Sequence, residues 1–258
     1  LKTAIISDVH SNLHALESVL KDIESQGVDA IYNLGDSVGY CAFPQECLEL
    51  IRSKAIYNIM GNHDGCVCDD KYRYKFPMNY MANVGISYGR EKLDSDQISY
   101  LGRLPFQVLL KESGIALSHG SFANPEEWNY IFGKEDAVND YYALNATFPE
   151  WKISFIGHTH YPVVFCNEDN KAKAISSGFN KSSYPIRLKT TRKYIINVGS
   201  VGQPRDSCPL SCYVILETKG KYHNLTFRRV EYNVEDACAA IDEEELPPSL
   251  SERLRNGK

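Results

Sequence analysis

The chain has 258 residues, with 28 Lys and Arg against 33 Asp and Glu, a formal charge of −5 and an isoelectric point near 5.8. That balance does not suit a protein that coats a phosphate backbone, which needs a net basic face, so no extended nucleic-acid binding is expected. The 43% hydrophobic content is that of a globular rather than a disordered chain, the length suits one sizeable domain, and no apolar run reaches the ~18 residues of a membrane span.

Leu1-Lys2-Thr3-Ala4-Ile5-Ile6 leads directly into a short strand over 3–7, with no export signal ahead of it, which points to a cytoplasmic protein. Leu13, Leu16, Val19, Leu20 and Ile23 follow at helical spacing, with Asn12 as N-cap and Gly27 as the closing residue. Ala30 to Leu34 reads as a second strand, Pro44 opens a helix through Cys47, Leu48 and Ile51, and Ala55 to Ile59 reads as a third strand. This β–α alternation is the pattern of a parallel sheet with helices packed on it. From Lys71 to Leu104, Tyr80, Val84 and Tyr88 fall at helical spacing and Asp94-Ser95-Asp96-Gln97 caps a second helix, so the segment reads as a helical hairpin inserted into a single domain. The second half is richer in strands, at 108–110, 115–117, 153–156, 163–165, 194–196 and 213–216, with one helix from Lys134 to Asn145. Helices at 235–241 and 248–254 form a C-terminal tail over 233–258, with Pro248 suited to a first turn.

Eight cysteines form no CxxC pair and no dense framework, so they read as free thiols in a reducing compartment. Cys66-Val67-Cys68, the one close pair, reads as small packing residues.

The histidines carry the functional signal. His10, His63, His119, His158 and His160 each sit at the end of an apolar run beside Gly, Asp, Asn or another His, where open α/β sheets place their ligands. Asp8-Val9-His10 follows the first strand, and in extended chain positions i and i+2 share a side, so the pair can grip one cation. Gly35-Asp36 follows the second, Gly61-Asn62-His63-Asp64 the third, Ser118-His119-Gly120 another, and Gly157-His158-Thr159-His160 a fifth, with its two histidines again at i and i+2. Asp8, His10, Asp36, Asn62, His119, His158 and His160 make seven N and O donors. A single zinc site uses three or four; seven with one shared carboxylate suit two metals ~3.5–4 Å apart.

These segments resemble the calcineurin-like metallophosphoesterase superfamily, whose pattern is D-x-H, G-D, G-N-H-[DE], H and G-H-x-H. Gly35-Asp36-Ser37-Val38-Gly39-Tyr40, Gly157-His158-Thr159-His160-Tyr161-Pro162, the run from Asn197 to Asp206 and the ending Leu246-Pro247-Pro248-Ser249-Leu250 with Arg253-Leu254 resemble its small prokaryotic branch. The resemblance implies an α/β fold, a two-sheet α/β/β/α sandwich with the site at the strand ends. It implies that Asp8, His10 and His160 hold one divalent transition metal, that Asn62, His119 and His158 hold a second, and that Asp36 bridges them. Mn²⁺, Fe, Zn²⁺, Co²⁺ and Ni²⁺ all suit such donors. His63 is then a catalytic acid or a donor to the phosphoryl oxygens rather than a ligand, and Asp64 orients it or caps the following segment.

The implied chemistry is attack by a metal-bridging hydroxide on a phosphate ester. Two divalent cations, two carboxylates and a hydroxide leave about +1 for the phosphoryl group. Protein phosphatases of the superfamily extend the second motif as G-D-x-x-D-R-G, whereas Gly39, Tyr40 and Cys41 stand at the last three positions here. Arg205 is the replacement for a phosphate-facing Arg, unless it only pairs with Asp206. Small phosphodiester or nucleotide-type substrates are therefore expected, with Asn62, His63 and Arg205 contacting them. A dinucleoside polyphosphate hydrolase, a phosphomonoesterase or protein phosphatase, and a non-catalytic scaffold on the same fold are the alternatives. Trp128, Tyr130 and Phe132 read as core packing or as a base-stacking surface, and His14 and His223 as surface residues. No membrane partner is expected, and the sequence does not determine the oligomeric state.

Overall fold

The computed structural model describes residues 1–168, 171–175, 179–220 and 222–258. The first part alternates β1 (Lys2–Ile6), α1 (Leu13–Gln26), β2 (Ala30–Asn33), α2 (Pro44–Lys54) and β3 (Tyr57–Asn58). A helical stretch follows: α3 (Asn62–Cys68), α4 (Asp70–Lys75), α5 (Tyr80–Lys92) and α6 (Ser95–Leu101). Next come β4 (Gln107–Leu110), β5 (Ile115–Ser118), α7 (Lys134–Thr147), β6 (Ile153–Ile156), β7 (Val163–Glu168), β8 (Lys171–Ile175) and β9 (Ser183–Lys189). The chain closes with β10 (Tyr194–Asn197), β11 (Ser211–Lys219), β12 (Tyr222–Val230), α8 (Val234–Glu243) and α9 (Pro248–Asn256).

The strands form two mixed sheets, ordered β3-β2-β1-β11-β12-β9 and β4-β5-β6-β10-β7-β8. Side chains alternate across each strand, which makes both sheets two-faced. Ile5 points into the core between the sheets, where it meets Leu34, Leu117, Phe155, Ile196 and Val214, while Ala4 and Ile6 point outward to α1. On the second sheet Ile196 is inside, and Ile195 faces outward with Phe165 toward Tyr141 and Leu144 of α7. Both faces of each sheet are therefore covered, in the α/β/β/α arrangement expected from the sequence. Asn12 Oδ1 accepts from Ala15 N–H at 3.1 Å and Gly27 takes the left-handed conformation at φ 60°, so α1 begins and ends where its residues predict. Burying Leu16, Val19 and Ile23 along its inner stripe contributes roughly 1.5–3 kcal/mol each.

Three expectations are corrected. The third strand is only Tyr57–Asn58, because the chain leaves the sheet to form α3, in which Cys66 is buried as a packing residue. The Lys71–Leu104 segment is not a plain hairpin: α5 and α6 are preceded by α4, which starts at Asp70. Strands β8 and β9 are not among the expected strands; both lie at sheet edges, and β9 turns Tyr184, Ile186 and Leu188 to the core between exposed residues. Among the described residues, no helix is long and apolar enough to cross a membrane, and all eight cysteines are free.

Parallel pairing positions the site. β1, β2 and β3 run parallel, as do β5, β6 and β10. Their carboxyl ends lie at one edge of the sandwich, and each opens into a loop that carries one of the sequence motifs.

Candidate metal centre

Asp8, His10, Asp36, His158 and His160 all adopt left-handed backbone, with φ between 50° and 67°. Non-glycine residues rarely do so, at a cost of order 1–3 kcal/mol each unless the surroundings hold them. The loops are cross-braced by backbone hydrogen bonds: Asp8 N–H to Gly35 O at 3.0 Å, His10 N–H to Asp36 O at 2.9 Å and Gly157 N–H to His119 O at 2.9 Å. Gly202 N–H donates to Asp8 O at 2.9 Å, tying the loop after β10 to the loop after β1. Two glycines permit the crowding. A Cβ on Gly61 would strike the Asp36 carboxylate, and one on Gly157 would strike Ser7 and Asp8.

This geometry corrects the extended-chain argument for the D-x-H and H-x-H pairs. Asp8 and His10 do come together, but across a left-handed turn beyond the end of β1. His158 and His160 separate: His160 joins Asp8 and His10, whereas His158 joins Asp36 and His119.

The inward-facing atoms are almost all acceptors. His10 Nδ1 faces Val38 O at 3.2 Å, His119 Nδ1 faces Leu34 O at 2.8 Å and His160 Nδ1 faces Gln203 O at 2.5 Å. Opposite a carbonyl, each Nδ1 must carry the proton and donate it, so a neutral ring turns its Nε2 lone pair inward. His10 Nε2 and His160 Nε2 then face one another at 3.1 Å. His160 Nε2 lies 3.2 Å from Asp8 Oδ1, which has no hydrogen-bond partner although fully buried. His119 Nε2 lies 3.2 Å from Asn62 Oδ1 and 3.3 Å from Asp36 Oδ2, and the same Asp36 oxygen is 3.7 Å from His10 Nε2. Each carboxylate spends its other oxygen on the backbone: His63 N–H donates to Asp36 Oδ1 at 2.8 Å, and His158 N–H donates to Asp8 Oδ2 at 3.0 Å. Lone pairs converging in a dry site repel unless a cation lies between them. Imidazole, carboxylate and amide oxygen together suit divalent transition metals. The residues thus fit metal ions, with Asp36 between the two groups.

Electrostatics follow from the crowding. Burial pushes the Asp8 and Asp36 carboxyls toward the neutral form, but the surrounding histidines outweigh it and hold both far below the usual carboxylate range. Burial also lowers His10, His158 and His160. His119 goes the other way, to about 9: burial opposes its charge, but Asp36 and Asp8 favour it more.

His63 lies beside both groups. Its ring centre is 4.7 Å from that of His10 and 4.6 Å from that of Tyr40, and its Nδ1 is buried without a partner. Within reach of His10 and Asp36, it is lowered to about 4, first by burial and then, against the pull of Asp36, by the Arg205 charge. Of the two places expected for Asp64, it takes the cap of the following helix, α3, rather than a contact with His63. Its carboxylate accepts from the N–H groups of Ser37 at 2.9 Å, Val38 at 3.3 Å and Gly61 at 3.0 Å. It therefore pins the Asp36 loop to the start of α3, a positioning role, with its pKa raised to about 7 by burial and by the Asp36 charge.

Arg205 does not pair with Asp206. Its Nη2 donates to Gln203 Oε1 at 3.1 Å, while Asp206 is engaged by Arg229. Arg205 lines a small cavity of about 210 Å³ together with Asp36, Asn62, His63 and His160. Arg253 and Tyr40 line the same cavity, and sequence reasoning gave neither a role. Arg253 stands in a terminal motif, and nothing local shows that α9 returns to a site made by loops that follow β1 to β10.

The aromatic trio divides. Trp128 is 3% exposed, its indole donates to Met60 O at 3.0 Å, and it packs among Tyr72, Phe76 and Phe106. Tyr130 instead stacks on His158, with ring centres 3.9 Å apart and an interplanar angle of 5°, and Phe132 stacks on Tyr130 at 5.0 Å. Both are exposed at the rim. His14 and His223 are half-buried rather than on the open surface, His14 against Phe43.

Comparison with known proteins places these features in context. A family model for the calcineurin-like phosphoesterase superfamily domain matches residues 1–221. An uncharacterized protein of Methanocaldococcus jannaschii is 36% identical over 258 residues, which cover 99% of this chain and 98% of that protein. Among solved structures, a metallophosphoesterase from Sphaerobacter thermophilus superposes with a TM-score of 0.84 at 33% identity, covering 100% of this chain and 99% of that one. A hypothetical protein from Pyrococcus horikoshii shares the fold with a TM-score of 0.76 at 21% identity, covering 100% and 98% of the two chains.

Proposed function

The chain belongs to the calcineurin-like phosphoesterase superfamily, and from that premise we propose that it is a dinuclear-metal phosphoesterase hydrolysing small phosphodiester or nucleotide-type esters. The observation that carries this reading is the convergence of buried acceptors around Asp36, with the His10–His160 pair at 3.1 Å on one side and the His119–Asn62 pair at 3.2 Å on the other. Asp8, His10 and His160 would hold one ion, Asn62, His119 and His158 the other, with Asp36 shared. Bound there, two divalent ions would supply Lewis acidity and bring a water's pKa near neutrality.

The chain's own residues do the rest. The 210 Å³ cavity takes a phosphoryl head and little more, so the organic part of the ester lies outside it. A neutral His63 offers an N–H to a phosphoryl oxygen while its backbone N–H holds Asp36. Asp64 keeps both in register. A second, larger cavity of about 380 Å³ shares Asn62, Tyr130 and His158 with the first and is lined further by Phe76 and Trp128, which suits a planar apolar group. Free thiols favour a reducing compartment, and we place the protein in the cytoplasm on that ground.

The test is reconstitution with Mn²⁺, Fe²⁺, Zn²⁺, Co²⁺ or Ni²⁺ in turn, followed by elemental analysis and a panel of aryl diesters, monoesters, nucleotides and a phosphopeptide. The expected result is close to two metals per chain and turnover of small esters. A tenfold preference for the phosphopeptide would revive the protein-phosphatase reading. Metal loading without turnover of any ester would favour a scaffold.

A further inference from the structure

Arg205, on the loop after β10, and Arg253, on α9, converge on one face of the site. Their guanidinium carbons lie 5.9 Å and 5.7 Å from the centre of the same Tyr40 ring. Elsewhere, arginines near the core hold carboxylates: Arg228 pairs with Asp22 and Arg229 with Asp206. Among the described residues neither Arg205 nor Arg253 has an Asp or Glu partner. Arg205 reaches only the Gln203 side-chain oxygen, and its Nε is buried without a partner. Arg253 donates through Nε to Lys258 O at 2.8 Å and has the Tyr40 hydroxyl as its other polar neighbour. Burial, and after it the Arg205 charge, make the Arg253 charge less favourable. Two guanidinium groups that line one small cavity without an Asp or Glu partner are an arrangement that an anion stabilises.

We propose that Arg205 and Arg253 form a second anion subsite beside the metal centre, and that the substrate carries a second phosphate next to the one that is cleaved. This rests on the phosphoesterase reading above and names its substrate class. The metal centre with its carboxylates and hydroxide leaves about +1, and the two guanidinium groups raise the cavity to about +3. A phosphodiester monoanion leaves most of that charge unmatched, whereas a phosphoanhydride or bisphosphate dianion or trianion matches it. The expectation that a diester suffices rests on the charge of about +1 at the metal centre without either arginine, and the two together change the balance. Each guanidinium offers a planar fork that fits two phosphate oxygens. Arg205 adjoins the Gln203–His160 hydrogen bond, which sets its side of the cavity against the metal centre.

The test uses the full-length, metal-loaded protein, its metal content measured first, and calorimetric titration with orthophosphate and with methylenediphosphonate, a bisphosphate that cannot be hydrolysed. Wild type is expected to bind methylenediphosphonate at least about tenfold more tightly than orthophosphate. Arg253→Ala and Arg205→Ala should each lower that ratio about tenfold, and Arg253→Lys should recover part of it. Because Arg253→Ala removes a contact of α9, its melting temperature is measured beside it, and Arg205→Ala provides an independent reading from a loop. A wild-type ratio near one, or variants that weaken both ligands equally, would overturn the subsite. A protein that binds no metal and cleaves no ester brings down the phosphoesterase reading instead; normal metal content and turnover with an unchanged ratio bring down the subsite alone.

Discussion

Two clusters of polar side chains on the first sheet face opposite fates. Asp22, on α1, accepts from Arg228 at 2.7 and 3.0 Å and from the Tyr213 hydroxyl at 2.7 Å. Donors match acceptors there, and the cluster is complete by itself. Asp8 and Asp36, at the ends of β1 and β2, face histidine nitrogens whose protons are turned outward to carbonyls. With neutral rings that cluster lacks side-chain donors and calls for cations. The residue type is the same in both, but the donor count around the carboxylate differs, and that difference separates an ion pair that supports the fold from a site that binds.

The comparison can be broken most severely at Asp36. Asp36→Asn should abolish phosphoesterase turnover and weaken metal binding in both groups together, read by elemental analysis and by assay. A variant with full metal content and activity would remove Asp36 from between the two ions.

His63→Ala comes next. It should keep its metal and lose roughly 10²–10⁴-fold in rate, the range for a positioned proton donor. A loss equal for nitrophenyl and alkyl esters fits donation to the phosphoryl oxygens, and a loss that shrinks for nitrophenyl esters assigns it the leaving-group proton. Metal loss as large as that of His158→Ala would make it a ligand.

At the other cluster, Asp22→Ala should cost about 1–3 kcal/mol in stability, because it leaves Arg228 and the Tyr213 hydroxyl without their acceptor. Metal content and kcat/KM should stay at the wild-type level. Denaturant melts and the standard assay together check this, and a fall in metal content would erase the distinction between the clusters.

The smallest effect is in pH. Asp140 of α7 is buried and accepts from Ser121 Oγ at 2.5 Å and Phe122 N–H at 3.0 Å, with too little donor charge nearby to offset burial, which raises its pKa to about 6. The folded chain thus holds its proton more tightly than the unfolded one, whose Asp titrates near 3.9. Its contribution to stability is present below about pH 4 and declines as pH rises to about 6, by at most about 1.4 kcal/mol per pH unit. Asp22 has the opposite sign: although burial opposes it, Arg228 and Tyr213 lower its pKa, so its contribution is lost on acidification. In stability profiles from pH 4 to 7, Asp140→Asn should flatten the decline, and an unchanged profile would refute the assignment.

Much of this was legible in the sequence because it is local. Helical spacing from Leu13 to Ile23, the Asn12 cap, Gly27 and the apolar runs at 115–117, 153–156 and 194–196 report periods and turn chemistry that each segment carries by itself, and the metal motifs stand directly after those runs. Strand β9 shows the alternation of Tyr184, Ile186 and Leu188 with exposed residues, but so short a pattern does not tell which sheet edge it joins. Tertiary structure alone decided the rest. It set Asp8 and His10 in left-handed turns that only cross-bracing between distant loops can hold, and it chose the cap over His63 for Asp64. It also brought Arg253 from the last helix to stand beside Arg205. A residue's type and spacing record what it can bond to, but which partner it meets depends on loop closures between strands far apart in the chain, and no local pattern encodes those.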